Sequence, residues 1–174
     1  MIMLRKLTID DASVFRELRL YGLQESPTAF GASFEQESVQ PLEFFAGRIA
    51  SSADRMVMGA FDGDRLIGMV AFVRDTALKT RHRGAIYSMY VHPDSRGQGA
   101  GRELLKALLS EIASLPGLRS VRLSVTVGND PAQRLYESLG FTVYGEEPEV
   151  LLVDGVFHGE RHMVRKVLIP ADKS

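Results

Sequence analysis

The chain alternates between segments in which apolar side chains recur every three or four residues and segments in which they recur at every second position or run on unbroken. The first pattern is that of an amphipathic helix, and the second is that of a strand. We predict three main helices from the first pattern, over residues 10–24, 101–115 and 130–140. The second helix has the clearest apolar face, which consists of Leu104, Leu105, Leu108, Leu109 and Ile112.

Polar residues and prolines indicate where helices begin. Pro41 predicts a further helix over residues 41–51, because proline is favoured in the first turn. Asp130 is predicted to cap the last helix, and Pro131 is predicted to occupy its first position. The polar segment over residues 25–40 has no clear period, and we predict an ordered loop there.

Seven segments have the composition of strands, namely residues 3–8, 55–61, 65–73, 84–92, 120–127, 141–145 and 157–169. The second and third of them are joined by Asp-Gly-Asp, which is a strong hairpin signal. Strands and helices follow one another in an order that predicts a mixed α/β fold. A strand–helix–strand crossover is expected in the middle of the chain.

Length and composition narrow the class of protein. A chain of 174 residues, with 45% hydrophobic and 25% charged residues, is predicted to form one globular domain over residues 1–174. A net charge of -1 argues against an overall electrostatic grip on nucleic acid or on an anionic membrane. The absence of cysteine excludes disulfides, thiolate metal sites and a cysteine nucleophile. We see no signal peptide and no apolar run of about 18 residues, and we expect a cytoplasmic protein.

The segment between the fourth strand and the second helix contains three alternating glycines, Gly97, Gly99 and Gly101. A flexible turn needs only one glycine. The first turn of a helix has N–H groups without partners and a positive partial charge, and glycines there let a phosphate approach closely. The pattern therefore favours a ligand that carries phosphate.

Two common nucleotide motifs do not fit this segment. A phosphate-binding loop would need lysine and a hydroxyl residue after the last glycine, where Arg102 and Glu103 stand. The dinucleotide fingerprint would need a glycine at Arg102 and an acidic residue at the end of the next strand, which has none. A nucleotide-binding regulator is therefore disfavoured.

The pattern that does fit is R-x-x-G-x-G, with Arg96, Gly99 and Gly101, after a strand and before an amphipathic helix. It resembles the acetyl-CoA motif of the Gcn5-related N-acetyltransferase (GNAT) superfamily. A second element resembles that family too, because residues 129–141 match N-x-x-A-x-x-L-Y-x-x-x-G-F. The resemblance extends over most of the chain. It implies a central, mostly antiparallel sheet with flanking helices and a crossover at the cofactor site.

The resemblance also implies a site for acetyl-CoA as the acetyl donor, without a metal. Backbone amides of the glycine segment would bind the pyrophosphate, the preceding strand would bind the pantetheine arm, and the Val91 N–H would face the thioester oxygen as a small oxyanion hole. The cofactor-binding residues so implied are Met89, Tyr90, Val91, Arg96, Gly97, Gln98, Gly99, Ala100, Gly101, Arg102 and Asn129.

Two of the residues implied by the family have simpler interpretations. Tyr136 matches the family's general acid, which protonates the CoA thiolate, but it also lies at helical spacing with apolar neighbours and could simply pack. Asn129 matches a CoA contact, but it could equally serve as a turn or helix-cap residue.

No general base is evident from the sequence. The two strands that often carry a glutamate in the family have none here, and Ser88 and Ser124 are poor bases. A water relay to solvent is an alternative. The acidic residues Glu146, Glu147 and Glu149 could attract a cationic amine, but we interpret this run as a solvated turn. Weak candidates for the base are Glu35, Glu37, His82, His158 and His162.

We therefore predict an N-acetyltransferase that joins acetyl-CoA and a primary amine in a ternary complex, with direct attack of the amine. The acceptor would be a small molecule, or a protein or peptide. The alternative is a non-catalytic acyl-CoA sensor or interaction module, whose only support is the missing base. Dimers are common in the family, but neither the acceptor nor the oligomeric state follows from the sequence.

Overall fold

The computed structural model describes residues 1–167, and its centre is one seven-stranded sheet. The strands lie in the order β1-β2-β3-β4-β5-β7-β6. They are β1 (Ile2–Lys6), β2 (Arg55–Asp62), β3 (Arg65–Arg74), β4 (Arg83–Val91), β5 (Ser120–Thr126), β6 (Thr142–Val153) and β7 (Val156–Lys166). The helices are α1 (Ala12–Glu25), α2 (Phe34–Ser38), α3 (Leu42–Ile49), α4 (Ala100–Ala113) and α5 (Asp130–Ser138).

The sheet is antiparallel except where β4 pairs with β5. That parallel pair is connected through α4, so the predicted crossover and the mixed α/β fold are confirmed. The predicted last strand ran to residue 169, and its final two residues lie outside the described part of the chain, as does the end of the predicted domain. The single domain over residues 1–174 stays a prediction. Among the helices of residues 1–167, none has the length and apolar character needed to cross a membrane.

Two apolar cores lie on opposite faces of the sheet. On one face, α4 and α5 cover a cluster that includes Met56 and Met58 of β2. On the other face, α1 and α3 cover a cluster that includes Val57 and Phe61 of the same strand. Because β2 is buried on both faces, its sequence is a continuous apolar run rather than an alternation.

The two central strands β4 and β5 separate part of the way along. They pair only where Arg83–Ala85 meets residues 120–122, although both strands run on beyond that point. In β4 a bulge follows, in which Ser88 has a φ of 53° and the register with β3 shifts. At the end of β5, the Thr126 hydroxyl donates a hydrogen bond of 2.6 Å to the Thr28 carbonyl and not to β4. A wedge-shaped gap therefore opens in the middle of the sheet.

Three local predictions are corrected by the structure. The loop predicted over residues 25–40 contains the five-residue helix α2, which is too short to show a period. The cap of α5 is Asn129, whose side chain accepts the Ala132 N–H at 3.4 Å, so the assignment of this cap to Asp130 is wrong. Residues 146–149 are not a solvated turn but lie inside β6, where an edge strand tolerates proline and charge.

Under the α1 face lies a buried ionic network. The Arg19 guanidinium donates to both carboxylate oxygens of Glu37 and, at 2.9 Å, to the Ser88 hydroxyl, while Arg48 donates to the same carboxylate. Burial alone would raise the pKa of Glu37, but the two arginines hold it below its usual value. Glu37 therefore stays ionised and is not available as a base.

Replacement of this carboxylate tests the network. We expect Glu37→Gln to lower the free energy of unfolding by about 3 kcal/mol, because it leaves the buried guanidinium of Arg19 without its counter-charge. The matched control is Glu35→Gln, two residues away on the exposed side of α2. Urea denaturation at neutral pH measures both, and equal effects of the two substitutions would contradict a structural role for the network.

Candidate functional site

The wedge between β4 and β5 opens into a cleft of about 1280 Å³ that reaches both faces of the sheet. On one side it meets the start of α4 and the α5 helix, and on the other side it meets α1, α3 and the strands β6 and β7. Tyr136 and all the cofactor-binding residues implied by the resemblance line this cleft, except Gln98. Of the five base candidates, only His162 lines it. The sequence motifs thus converge in space, although they are separated by tens of residues along the chain.

Two different structural constraints explain why glycine occupies the three alternating positions. Gly97 and Gly99 have φ values of 76° and 80°, in the left-handed region that other residues rarely adopt, and a Cβ on either would meet open space. Gly101 has no such φ. A Cβ there would lie 3.1 Å from the Met89 side chain, so this glycine lets α4 pack closely on β4.

The start of α4 leaves backbone donors free. Its cap residue, Gly99, has no side chain, and the first N–H to find a helical partner is that of Glu103, which donates to the Gly99 carbonyl at 3.0 Å. Within residues 1–167, no hydrogen bond is formed by the N–H groups of residues 97–102. These donors and the positive end of the helix make the site suited to a phosphate.

The side chain of Arg96 is engaged within the protein. Its guanidinium donates to the Val91 carbonyl at 3.0 Å and to both carboxylate oxygens of Glu25 at 3.2 and 2.8 Å. The hydrogen bond from Arg96 is the largest cause that lowers the pKa of Glu25 to about 2, so the pair is ionised at neutral pH. Arg96 therefore fixes the glycine segment against β4 and α1.

The backbone of β4 presents Val91 to the cleft. His92 donates its N–H to the Ile67 carbonyl of β3 at 2.8 Å. The backbone N–H and C=O groups of successive residues in a strand point to opposite edges of that strand. The Val91 N–H and carbonyl therefore face the cleft, and those of Tyr90 face β3. The Tyr90 side chain is buried and donates to Glu25 at 2.7 Å. Val91 thus has the geometry of a backbone donor, whereas Tyr90 contributes structure.

Tyr136 lies with its ring in the core and its hydroxyl at the cleft. The ring packs edge-on against Phe141 with centroids 6.0 Å apart, and burial raises the pKa of Tyr136 to about 12. The Tyr136 hydroxyl forms no hydrogen bond within the described residues. Because every fully buried side-chain oxygen there has a partner, this hydroxyl is not fully buried and reaches the cleft that Tyr136 lines. Packing and proton donation are compatible here.

A hydrogen-bonded chain on the other side of the cleft was not foreseen as a unit. The Ser124 hydroxyl lies 2.8 Å from His162 Nδ1, and His162 Nε2 lies 2.9 Å from a carboxylate oxygen of Glu147. The His162 ring also stacks on Tyr144. Ser124 and His162 are cross-strand neighbours of β5 and β7, a pairing that no local sequence signal reveals.

Two members of this hydrogen-bonded chain, Ser124 and His162, line the cleft together with Tyr87 and Ser88 of the β4 bulge. His162 is the only histidine of residues 1–167 that lines the cleft. No group of three or more histidine, cysteine or acidic side chains in that range could hold a metal ion.

Comparison with known proteins agrees with this geometry. The model of the acetyltransferase (GNAT) family matches residues 19–141, which is more than half of the chain. A spermidine N(1)-acetyltransferase from Vibrio cholerae serotype O1 is 26% identical over 147 residues, which cover 83% of each chain. An N-alpha-acetyltransferase 30 from Schizosaccharomyces pombe is 35% identical over 85 residues, which are 49% of this chain and 56% of that protein.

Solved structures show the same fold. The Salmonella typhimurium protein yncA, solved with its cofactor acetyl-CoA, matches with a TM-score of 0.79 over 99% of this chain and 98% of its own, at 21% identity. A GNAT-family acetyltransferase from Streptococcus pneumoniae matches with a TM-score of 0.81 over 97% of this chain and all of its own, at 20% identity. The fold predicted from the sequence is confirmed.

The two glycines with positive φ allow a test of the phosphate-binding segment. We expect Gly99→Ala to lower the affinity for acetyl-CoA about tenfold, because alanine costs about 1–2 kcal/mol in the left-handed region and the segment must rearrange. Gly47→Ala, in α3, is the matched control, because its Cβ meets no atom within 4 Å. Calorimetric titration measures both, and unchanged affinity in a folded Gly99→Ala protein would contradict the role of this segment.

Proposed function

The chain belongs to the acetyltransferase (GNAT) family, and we propose that it transfers the acetyl group of acetyl-CoA to a primary amine by direct attack in a ternary complex. The observation that carries the proposal is the cleft itself. It combines unbonded amides at the start of α4, a free Val91 N–H and the Tyr136 hydroxyl in one continuous space. The named relatives act on spermidine or on N-alpha groups, so the acceptor does not carry over from them.

The cofactor-binding role follows from the free backbone donors. The amides of residues 97–102 would hold the pyrophosphate, and Arg102 is adjacent, with its guanidinium on Ser138 at 2.7 Å. The pantetheine arm would lie along β4, where the neighbouring strand has separated and left backbone groups without partners. Asn129 lies at the same cleft, but its side chain caps α5.

Transfer itself needs charge stabilisation and two proton movements. The Val91 N–H would stabilise the negative charge that develops on the thioester oxygen. Tyr136, which burial keeps protonated at neutral pH, would donate its proton to the departing CoA thiolate. The C–S bond of the thioester breaks as the new C–N bond forms, and the amine must lose a proton.

We assign that last proton to the chain of Ser124, His162 and Glu147. In the neutral state, His162 Nε2–H donates to Glu147, and Nδ1 accepts from the Ser124 hydroxyl. The hydroxyl can take the proton of the amine while it passes its own to Nδ1, and Glu147 stabilises the imidazolium that results. In this route the proton ends on His162, which was one of the weak base candidates from the sequence. The alternative of a non-catalytic sensor loses its only support.

Three further features belong to the proposal. We place the protein in the cytoplasm and expect no metal requirement. The family resemblance adds the prediction of a homodimer.

Removal of the Tyr136 hydroxyl tests the acid. We expect Tyr136→Phe to lower kcat by about 100-fold with little change in acetyl-CoA affinity, because the ring still packs and only the proton donor is lost. Wild-type turnover should show no loss from Tyr136 ionisation up to pH 10, since the pKa of Tyr136 lies at about 12. Tyr21→Phe, outside the cleft, is the control. A Tyr136→Phe enzyme with full kcat would show that the proton comes from elsewhere.

Replacement of His162 tests the proton relay. We expect His162→Gln to lower kcat/KM about 100-fold at neutral pH. The deficit should shrink as pH rises towards the pKa of the acceptor amine, because more of the amine then arrives already deprotonated. His158→Gln, on the same strand but outside the cleft, is the matched control. Acetylation rates measured across pH decide it, and a deficit that is the same at every pH would refute the relay.

A further inference from the structure

The part of the cleft beyond the thioester position has an apolar floor. Two rows of residues cross the sheet there on the α1 face, as the strand registers show. The small and apolar members are Val57, Ala71, Val73 and Ala85, all of which line the cleft. One row contains Val73 and Ala85 and ends in an arginine on both sides, Arg55 on β2 and Arg122 on β5. The other row contains Val57 and Ala71.

Positive charge is concentrated at the β2 end of this floor. Arg19, Arg48 and Arg55 all line the cleft there, and the first two share the carboxylate of Glu37. Arg55 forms no ion pair with any residue in the described range, and its one side-chain hydrogen bond is a long contact of 3.5 Å to the Gly47 carbonyl. One carboxylate therefore serves three guanidiniums.

The mutual repulsion of these cations is visible in Arg48. Its pKa lies below the usual value because of burial and because Arg19 and Arg55 are close, although Glu37 opposes the shift. A bound anion would relieve this repulsion. The other arginine of the row, Arg122, is already neutralised by Asp75 at 2.9 Å.

The opposite end of the cleft carries the only acidic side chain among its lining residues, Glu160 of β7, close to the relay residue His162. The cleft is thus acidic near the position of the reacting amine, beside Ser124 of β5, and basic at β2, three strands away in the sheet. Three strand spacings amount to about 14 Å, and the reach of an arginine side chain shortens this distance.

From this charge distribution we propose that the acceptor carries a carboxylate in addition to its amine, and that Arg55, with Arg48, binds that carboxylate. The inference rests on the proposed acetyl transfer and names the class of its acceptor. A guanidinium binds a carboxylate through two parallel hydrogen bonds, and Arg55 has donors to spare. A polyamine would place a second cation beside three arginines, and we therefore expect it to bind poorly.

The experiment compares matched amines. The ω-aminocarboxylates of two to six carbons are offered beside alkylamines and α,ω-diamines of equal length, and thiol release from acetyl-CoA is followed. We expect kcat/KM for the carboxylate to exceed that for the alkylamine about tenfold or more for at least one chain length, because a hydrogen bond between charged groups is worth about that factor. The diamines should be the poorest acceptors.

Two variants locate the preference. Arg55→Gln should reduce the ratio of carboxylate to alkylamine kcat/KM tenfold or more, whereas Arg119→Gln, an exposed arginine outside the cleft, should leave the ratio unchanged. Diamines or alkylamines that match the carboxylates at every length would overturn the inference while acetyl transfer stands. A ratio that is unchanged in Arg55→Gln would also overturn it.

Binding without turnover gives an independent measure. If no amine releases thiol although acetyl-CoA binds, the proposed function fails. The carboxylate site is then judged by calorimetric titration of the enzyme–CoA complex with N-acetyl-ω-aminocarboxylates and with their primary amides. Tighter binding of the carboxylates that is lost in Arg55→Gln supports the site, and equal binding overturns it.

Discussion

The separation of β4 from β5 is the constraint on which the rest of the structure depends. Strands in the middle of a sheet normally satisfy their backbone groups against each other, and here that pairing ends at Ala85 and Arg122. Beyond this point β4 has one edge without a partner strand, and the gap leads from the start of α4 to the α1 face. A ligand with amides and a carbonyl can complete that edge, which is why a folded sheet can include a binding site through its centre.

The separation is held by interactions on both strands. On β4, Arg19 donates to the Ser88 hydroxyl at the bulge while its other donors are fixed by Glu37. On β5, Thr126 is bonded to the turn after α1. The helices of the α1 face therefore do more than cover a core, because they keep the wedge open. The same network supplies part of the positive charge that we assign to acceptor binding.

The sequence predicted the fold, and the residues that it named around the glycine segment and Tyr136 line one cleft, whereas the acceptor side of that cleft was not predicted. Periodicity, the glycine segment and the residues around Tyr136 are local signals, and each is short enough to be read within one element. Ser124, His162 and Glu147 come from three strands, and only the order β5-β7-β6 brings them together. Glu37 was considered as a base, but its two arginine partners lie 18 and 11 positions away in other helices. Long-range pairing, which local patterns do not encode, accounts for these differences.

The most direct test of the central claim is a crystal structure of the acetyl-CoA complex. The account predicts pantetheine between β4 and β5 with a hydrogen bond from the Val91 N–H, pyrophosphate oxygens on the amides of residues 97–102, and the sulfur beside the Tyr136 hydroxyl. Acetyl-CoA bound outside the wedge, or a pyrophosphate held by side chains away from the start of α4, would contradict it.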